Sequence, residues 1–129
     1  MKTILAIDDE PMMLQCLQAT LEKEGFRLLV TANPDDGIDL LKKKPVDLLL
    51  LDVKMPGKNG FEIYTELREF SEVPVLFVTA YPKALTPSSP IFKEIWEKGF
   101  TDGVTDIIYK PFSIDALLEK VTHLIGSAE

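Results

Sequence analysis

The stretch LLLLDVKMPGKNG, Leu48 to Gly60, decides how the rest of the chain is read. Four consecutive leucines leave no polar alternate positions, so they read as a strand buried on both faces, as in a parallel sheet covered by helices. Asp52 follows at once. A carboxylate at the end of such a strand costs free energy unless something there uses its charge. Pro56, Gly57, Asn59 and Gly60 then make a turn, in which Gly57 and Gly60 serve the backbone rather than cradle a phosphate.

Working outward, short β-like runs alternate with helical patterns. Thr3 to Ile7, Arg27 to Thr31, Asp47 to Leu51, Val75 to Val78 and Thr105 to Ile108 read as strands. Between the first two, Met13, Leu14, Leu17 and Leu21 recur at helical spacing, with Pro11 in the first turn and Gly25 as the stop. Asn33-Pro34 caps and opens a second helix carrying Ile38, Leu40 and Leu41, which Pro45 ends. Phe61 to Phe70 reads as a third helix. After the loop AYPKALTPSSP, Ser89-Pro90 opens a fourth helix, with Ile91 and Ile95, and Phe92 and Trp96, in pairs four apart. Ser113 caps a last helix through Leu117, Leu118, Val121, Leu124 and Ile125. Five βα units imply an α/β fold with a mostly parallel sheet and helices on both faces.

The bulk numbers agree with one domain spanning residues 1–129. Hydrophobic residues make up 46% of the chain and charged residues 27%, as in an ordinary globular protein. With 21 acids against 14 bases the net charge is -7, which argues against direct nucleic-acid binding, because phosphate contacts need a basic face. A cation or a basic partner fits better. The one cysteine, Cys16, excludes an internal disulfide and a Cys-rich zinc site. No signal peptide is visible, and the longest apolar run is far short of the roughly 20 residues of a spanning helix, so the expected location is cytoplasmic, away from the membrane. Cys16, Met12, Met13, Met55 and Trp96 are expected to pack in the interior. Lys42, Lys43 and Lys44 read as a solvated helix end favoured by the dipole, and His123 as a surface residue.

In such a sheet ligands gather beyond the carboxyl ends of the strands. Those ends carry Asp8, Asp9 and Glu10, then Asp52, then Thr79, then Lys110. Clustered carboxylates raise one another's pKa unless a cation sits among them. Oxygen ligands without His or Cys suit a hard ion, Mg²⁺ or Mn²⁺. A carboxylate can attack phosphorus to give an aspartyl-phosphate, with metal, lysine and hydroxyl holding the phosphoryl oxygens. Asp52, central in the sheet, is the natural nucleophile, its charge offset by the metal and Lys110.

In order and placement, AIDDEP, LLLLDVKMPGKNGFE, VLFVTAYP and IIYKPF resemble the receiver domain of two-component response regulators, including those of chemotaxis, over essentially the whole chain. The resemblance implies a flavodoxin-like, doubly wound (βα)5 three-layer sandwich with strand order 2-1-3-4-5. It implies that Asp52 is the phosphoacceptor, supplied by a sensor histidine kinase or phosphotransfer protein. Asp9 and Asp52 would be direct Mg²⁺ ligands, with the Lys54 backbone carbonyl, and Asp8 a ligand through water. Thr79 would contact the phosphoryl group and Lys110 would pair with it, aimed by a cis Lys110–Pro111 bond. The state would pass on through the surface of the fourth and fifth units to an output protein or fused effector domain, and the same surface could serve a homodimer. Such a protein is a signalling module with slow self-dephosphorylation, not a turnover enzyme.

This chain departs from the family at two places. The family often has an aromatic residue three before the lysine; here that residue is Ile107, and Tyr109 adjoins Lys110 instead. The stretch from Thr79 to Lys110 is also long, so an unusual partner face is expected over residues 81–90. Lys54 and Tyr81 stand where the family tunes the phosphoryl lifetime. Three other classes compete. Phosphohydrolases of the haloacid-dehalogenase type need two aspartates in a D-x-D pattern after one strand, and here Asp8 and Asp9 are adjacent. Nucleotide-binding flavodoxin-like proteins need a Gly- or Ser/Thr-rich phosphate loop, where this chain has DDEP. A receiver that only docks, without phosphorylation, remains the alternative.

Overall fold

The leucine run is the third strand of five. The computed structural model describes residues 1–55, 57–80 and 102–129. In chain order these form β1 (Thr3–Ile7), α1 (Pro11–Lys23), β2 (Arg27–Thr31), α2 (Pro34–Lys43), β3 (Leu48–Leu51), α3 (Gly60–Leu67), β4 (Val75–Thr79), β5 (Thr105–Tyr109) and α4 (Ile114–Ile125). The sheet order is β2-β1-β3-β4-β5, and every pairing is parallel. The expected helix over 90–99, with Trp96, and the loop over 81–90 lie outside the described residues.

Solid apolar strands follow from helices on both faces. Alternate residues of β1, β3 and β4 feed two separate cores. Leu5, Ile7, Leu49, Leu51 and Phe77 pack with Ile38 of α2 and with Phe61, Ile63 and Tyr64 of α3. Ile4, Ala6, Leu48, Leu50, Leu76 and Val78 pack with Leu14, Leu17 and Leu21 of α1 and with Leu117 and Val121 of α4. Phe77 lies between the rings of Phe61 and Tyr64, at centroid distances of 5.9 and 5.7 Å. Such tilted aromatic packing fixes α3 on the sheet beneath the turn that follows Asp52.

The helix ends show why the chain turns where it does. The Asn33 side chain accepts from the N–H groups of Asp35 and Asp36, and Pro34 fills the first helical position. The Ser113 side chain accepts from the Ala116 N–H at 3.0 Å. Gly25, at φ +96°, closes the turn after α1. The third helix differs from its sequence reading. Asn59 caps it, in a reciprocal box with Glu62, so it begins at Gly60 rather than Phe61 and ends at Leu67.

Two packing expectations fail. Cys16 is exposed, and Met12 is 82% exposed. Both sit off the Leu14–Leu17–Leu21 stripe, so helical geometry turns them to water. Met55 is buried and Met13 half-buried, as expected. Lys42, Lys43, Lys44 and His123 are exposed. Among the described residues, no helix is long and apolar enough to cross a membrane.

Candidate functional site

Backbone hydrogen bonds across the strand ends bring the acidic residues into line. Asp52 N–H donates to the Ile7 carbonyl at 3.0 Å, setting the end of β3 against the end of β1. Asp8 N–H donates to the Thr31 carbonyl at 3.2 Å. Lys110 N–H donates to the Thr79 carbonyl at 2.9 Å, so the residue after the edge strand β5 starts beside the end of β4. The Lys110–Pro111 peptide bond is cis, as the resemblance implied.

The result is a largely buried acidic rim with one cation in it among the described residues. Asp8 is 2% exposed and Asp52 3%, and Thr79 is fully buried. Lys110 Nζ lies 3.1 Å from Asp8 Oδ2, 3.0 Å from Glu10 Oε1 and 3.7 Å from Asp52 Oδ2. Its side chain thus crosses the ends of β4 and β3 to reach the acids of β1. The ordering matters, because the sequence reading set Lys110 against Asp52, whereas the ammonium hydrogen-bonds Asp8 and Glu10. The sequence reading names Glu10 at the end of the first strand but gives it no role. Its proximity to two aspartates was visible, but its partner lies 100 positions away.

The charges are poorly matched, and the carboxyls respond. Burial pushes Asp52 up to about 7; the Asp8 charge adds to this, and Lys110 and the Lys54 N–H oppose it. Asp8 is also raised, by burial first, against the Glu10 N–H and Lys110. Burial draws Lys110 down, but the Glu10 hydrogen bond and the Asp52 and Asp8 charges outweigh it, so the ammonium stands above its ordinary value. Lys54 N–H donates to Asp52 Oδ1 at 3.3 Å, which puts the residue expected to lend its carbonyl directly beside the carboxylate.

A metal fits this site on its donor chemistry. One carboxylate oxygen from each of Asp8, Asp9, Glu10 and Asp52 lies within 4.8 Å of the others. Three of them, Asp8, Glu10 and Asp52, share the Lys110 ammonium, and the donor set is all oxygen, which suits Mg²⁺ or Mn²⁺. A divalent ion there would offset the burial and the Asp8 charge that raise Asp52.

The turn carrying Asp52 is held by Gly60, whose N–H donates to the Val53 carbonyl at 2.8 Å. A Cβ on Gly60 would lie 2.5 Å from the Asp52 carbonyl oxygen and 2.8 Å from Val53 Cα. Both are backbone atoms and cannot rotate aside. Gly60→Ala is expected to lower stability by about 1–3 kcal/mol, the range for forced overpacking. Urea unfolding measures it, and a midpoint unchanged from the parent would contradict the close approach.

Beside the site, β5 pairs Tyr109 with Thr79 and Ile107 with Phe77. Ile107 is buried and Tyr109 partly buried against the same core. The aromatic ring therefore shares a sheet face with the aliphatic residue at the family's aromatic position, and burial raises the Tyr109 hydroxyl.

Comparison with known proteins gives one answer. The model of the response regulator receiver domain matches residues 4–122. The chain is 38% identical over 112 residues to the transcriptional regulatory protein YvrH of Bacillus subtilis (strain 168). That match covers 86% of this chain but 44% of YvrH, so the chain spans less than half of that relative's length. Among solved structures, chemotaxis protein CheY4 of Vibrio cholerae superimposes with a TM-score of 0.76 at 26% identity, covering 96% of this chain and 98% of that one. Response regulator TrrA of Thermotoga maritima, solved in complex with Mg²⁺-BeF, gives a TM-score of 0.75 at 29% identity, covering 96% and 99%. The acidic rim thus sits in a flavodoxin-like, CheY-like frame, and the chain belongs to the response regulator receiver domain family of two-component systems.

Proposed function

We propose that Asp52 is the phosphoacceptor of a single receiver domain spanning residues 1–129, charged by a sensor histidine kinase or phosphotransfer protein. One observation carries this: Asp52 is a buried carboxylate at the end of a central strand, pressed by Asp8, with Lys110 Nζ 3.7 Å away. At that place Lys110 and a bound cation can offset both the carboxylate's charge and the further negative charge that a phosphoryl group brings.

The step balances simply. An Asp52 carboxylate oxygen attacks phosphorus, the bond from phosphorus to the donor breaks, and the donor leaves with the electron pair (an imidazole from phosphohistidine, acetate from acetyl phosphate). Asp9, Asp52 and the Lys54 carbonyl would hold Mg²⁺, with Asp8 bound through water; when bound, the ion neutralises charge on the phosphoryl oxygens. Lys110 supplies the fixed positive charge and Thr79 a hydroxyl beside it. The protein thereby acts as a switch with slow self-dephosphorylation, not as a turnover enzyme. YvrH carries the name of a transcriptional regulator, and by that likeness the output is a partner or fused effector domain reached through the fourth and fifth units. A cytoplasmic location follows from such partners.

Intact mass after incubation with Mg²⁺ and acetyl phosphate tests the proposal. One added phosphoryl group is expected on the parent, and none on Asp52→Asn or with chelator present. If Asp52→Asn gains the same mass, another residue is the acceptor. If the folded parent gains no mass and also fails to bind beryllofluoride, the protein is a docking module of receiver fold.

A further inference from the structure

Glu10 occupies the N-cap of α1, a position that favours the short side chains of Ser, Thr, Asp and Asn, which fold back on the first turn. Glu10 makes no such cap bond. Its carboxylate leaves the helix and accepts from Lys110 Nζ at 3.0 Å. Its own N–H donates to Asp8 Oδ1 at 2.9 Å, and Asp8 Oδ2 accepts from the same ammonium at 3.1 Å. Two acids of the β1 loop therefore grip Lys110 together. The remaining 3.7 Å to Asp52 Oδ2 is beyond hydrogen-bonding distance.

We infer that Glu10 is a positioning residue for Lys110: it holds the ammonium on the β1 side of the rim, off Asp52, and sets how readily that ammonium passes to a phosphoryl group there. The inference rests on Asp52 being the phosphoacceptor. Glu10 is 60% exposed, and an ion pair so exposed is a weak restraint. It yields when a phosphoryl group offers the ammonium a more highly charged acceptor. Glu10 thus delays Lys110 without disabling it.

A rival explanation is charge alone, because a carboxylate near the rim repels an anionic donor whether or not it touches Lys110. Two variants separate them. Glu10→Gln removes the charge and the ion pair. Glu10→Asp keeps the charge but is one methylene too short to close the contact.

Two measurements apply to the parent and both variants. The first is hydrogen exchange of the Lys110 ammonium in metal-free protein, followed by ¹⁵N NMR and assigned by its loss in Lys110→Arg. The second is the initial rate of mass gain from acetyl phosphate at one fixed Mg²⁺ concentration. Faster ammonium exchange is expected in both variants, with mass gain accelerated roughly two- to fivefold, the range of one exposed ion pair. A Glu10→Asp protein labelled at the parent rate beside a faster Glu10→Gln would overturn the inference in favour of charge. Unchanged ammonium exchange, or labelling no faster in either variant, would also overturn it. Failure of the phosphoacceptor reading looks different: none of the three proteins gains mass, and ammonium exchange then decides alone whether Glu10 positions Lys110.

Discussion

Without Mg²⁺, Asp52→Asn is expected to be more stable than the parent protein, by an amount that grows with pH. The Asp52 carboxyl has an ordinary value of 3.8 and is pushed to about 7 in the fold. Between those values the folded state holds a proton that the unfolded chain has released. The stability linked to Asp52 is therefore fully present below 3.8 and is lost as pH rises through about 7. Above that window the loss is on the order of 4–5 kcal/mol, at about 1.4 kcal/mol per unit. Asparagine keeps the shape and has no charge to desolvate. Removing the Asp52 charge also relieves Asp8, whose own carboxyl is raised by burial. Urea unfolding with chelator at several pH values measures the difference. It should nearly vanish near pH 4 and approach its full size above pH 7, as the linkage requires. A constant difference across the range would show that Asp52 does not titrate as described.

Lys110→Met is expected to separate metal binding from phosphoryl transfer. The ammonium is bonded to Asp8 and stands 3.7 Å from Asp52. Its removal takes away the fixed positive charge available to a phosphoryl oxygen, and the loss of one such preorganised group costs about 10²–10³-fold in rate. The same change leaves Asp8 and Asp52 without the cation that offsets their repulsion, so Mg²⁺ should bind more tightly. Calorimetric titration with Mg²⁺ and the initial rate of mass gain should therefore move in opposite directions. If both fall together, Lys110 holds the site's shape rather than serving the transferred group.

The fold was legible because its signals are local. The leucine run of β3, the Asn33 and Ser113 caps, and the Leu14–Leu17–Leu21 stripe each act within a few residues, and the structure follows them. Strand order is not a local property, and it came from the likeness of four motifs to a known family. The start of α3 is ambiguous in the sequence because Asn59 reads equally well as a turn residue or a cap, and Glu62 three positions on distinguishes them. Cys16 and Met12 are exposed because both lie off the apolar stripe, so position on the helix and not residue type decides their burial. At the site, the acids and the lysine could be named from the strand ends. Their pairing could not, since the partner of a flexible lysine is chosen by distances of a few tenths of an ångström between residues on different strands.

Asp8, Asp52 and Lys110 come from opening, middle and closing parts of the chain, and Asp8 and Lys110 are 102 positions apart. Lys110 follows the edge strand, which pairs only with β4. The first 110 residues must therefore be in place before the rim is complete, and a chain cut before β5 lacks Lys110. The rim is thus a long-range feature of the sequence, assembled only when strands far apart along the chain have paired.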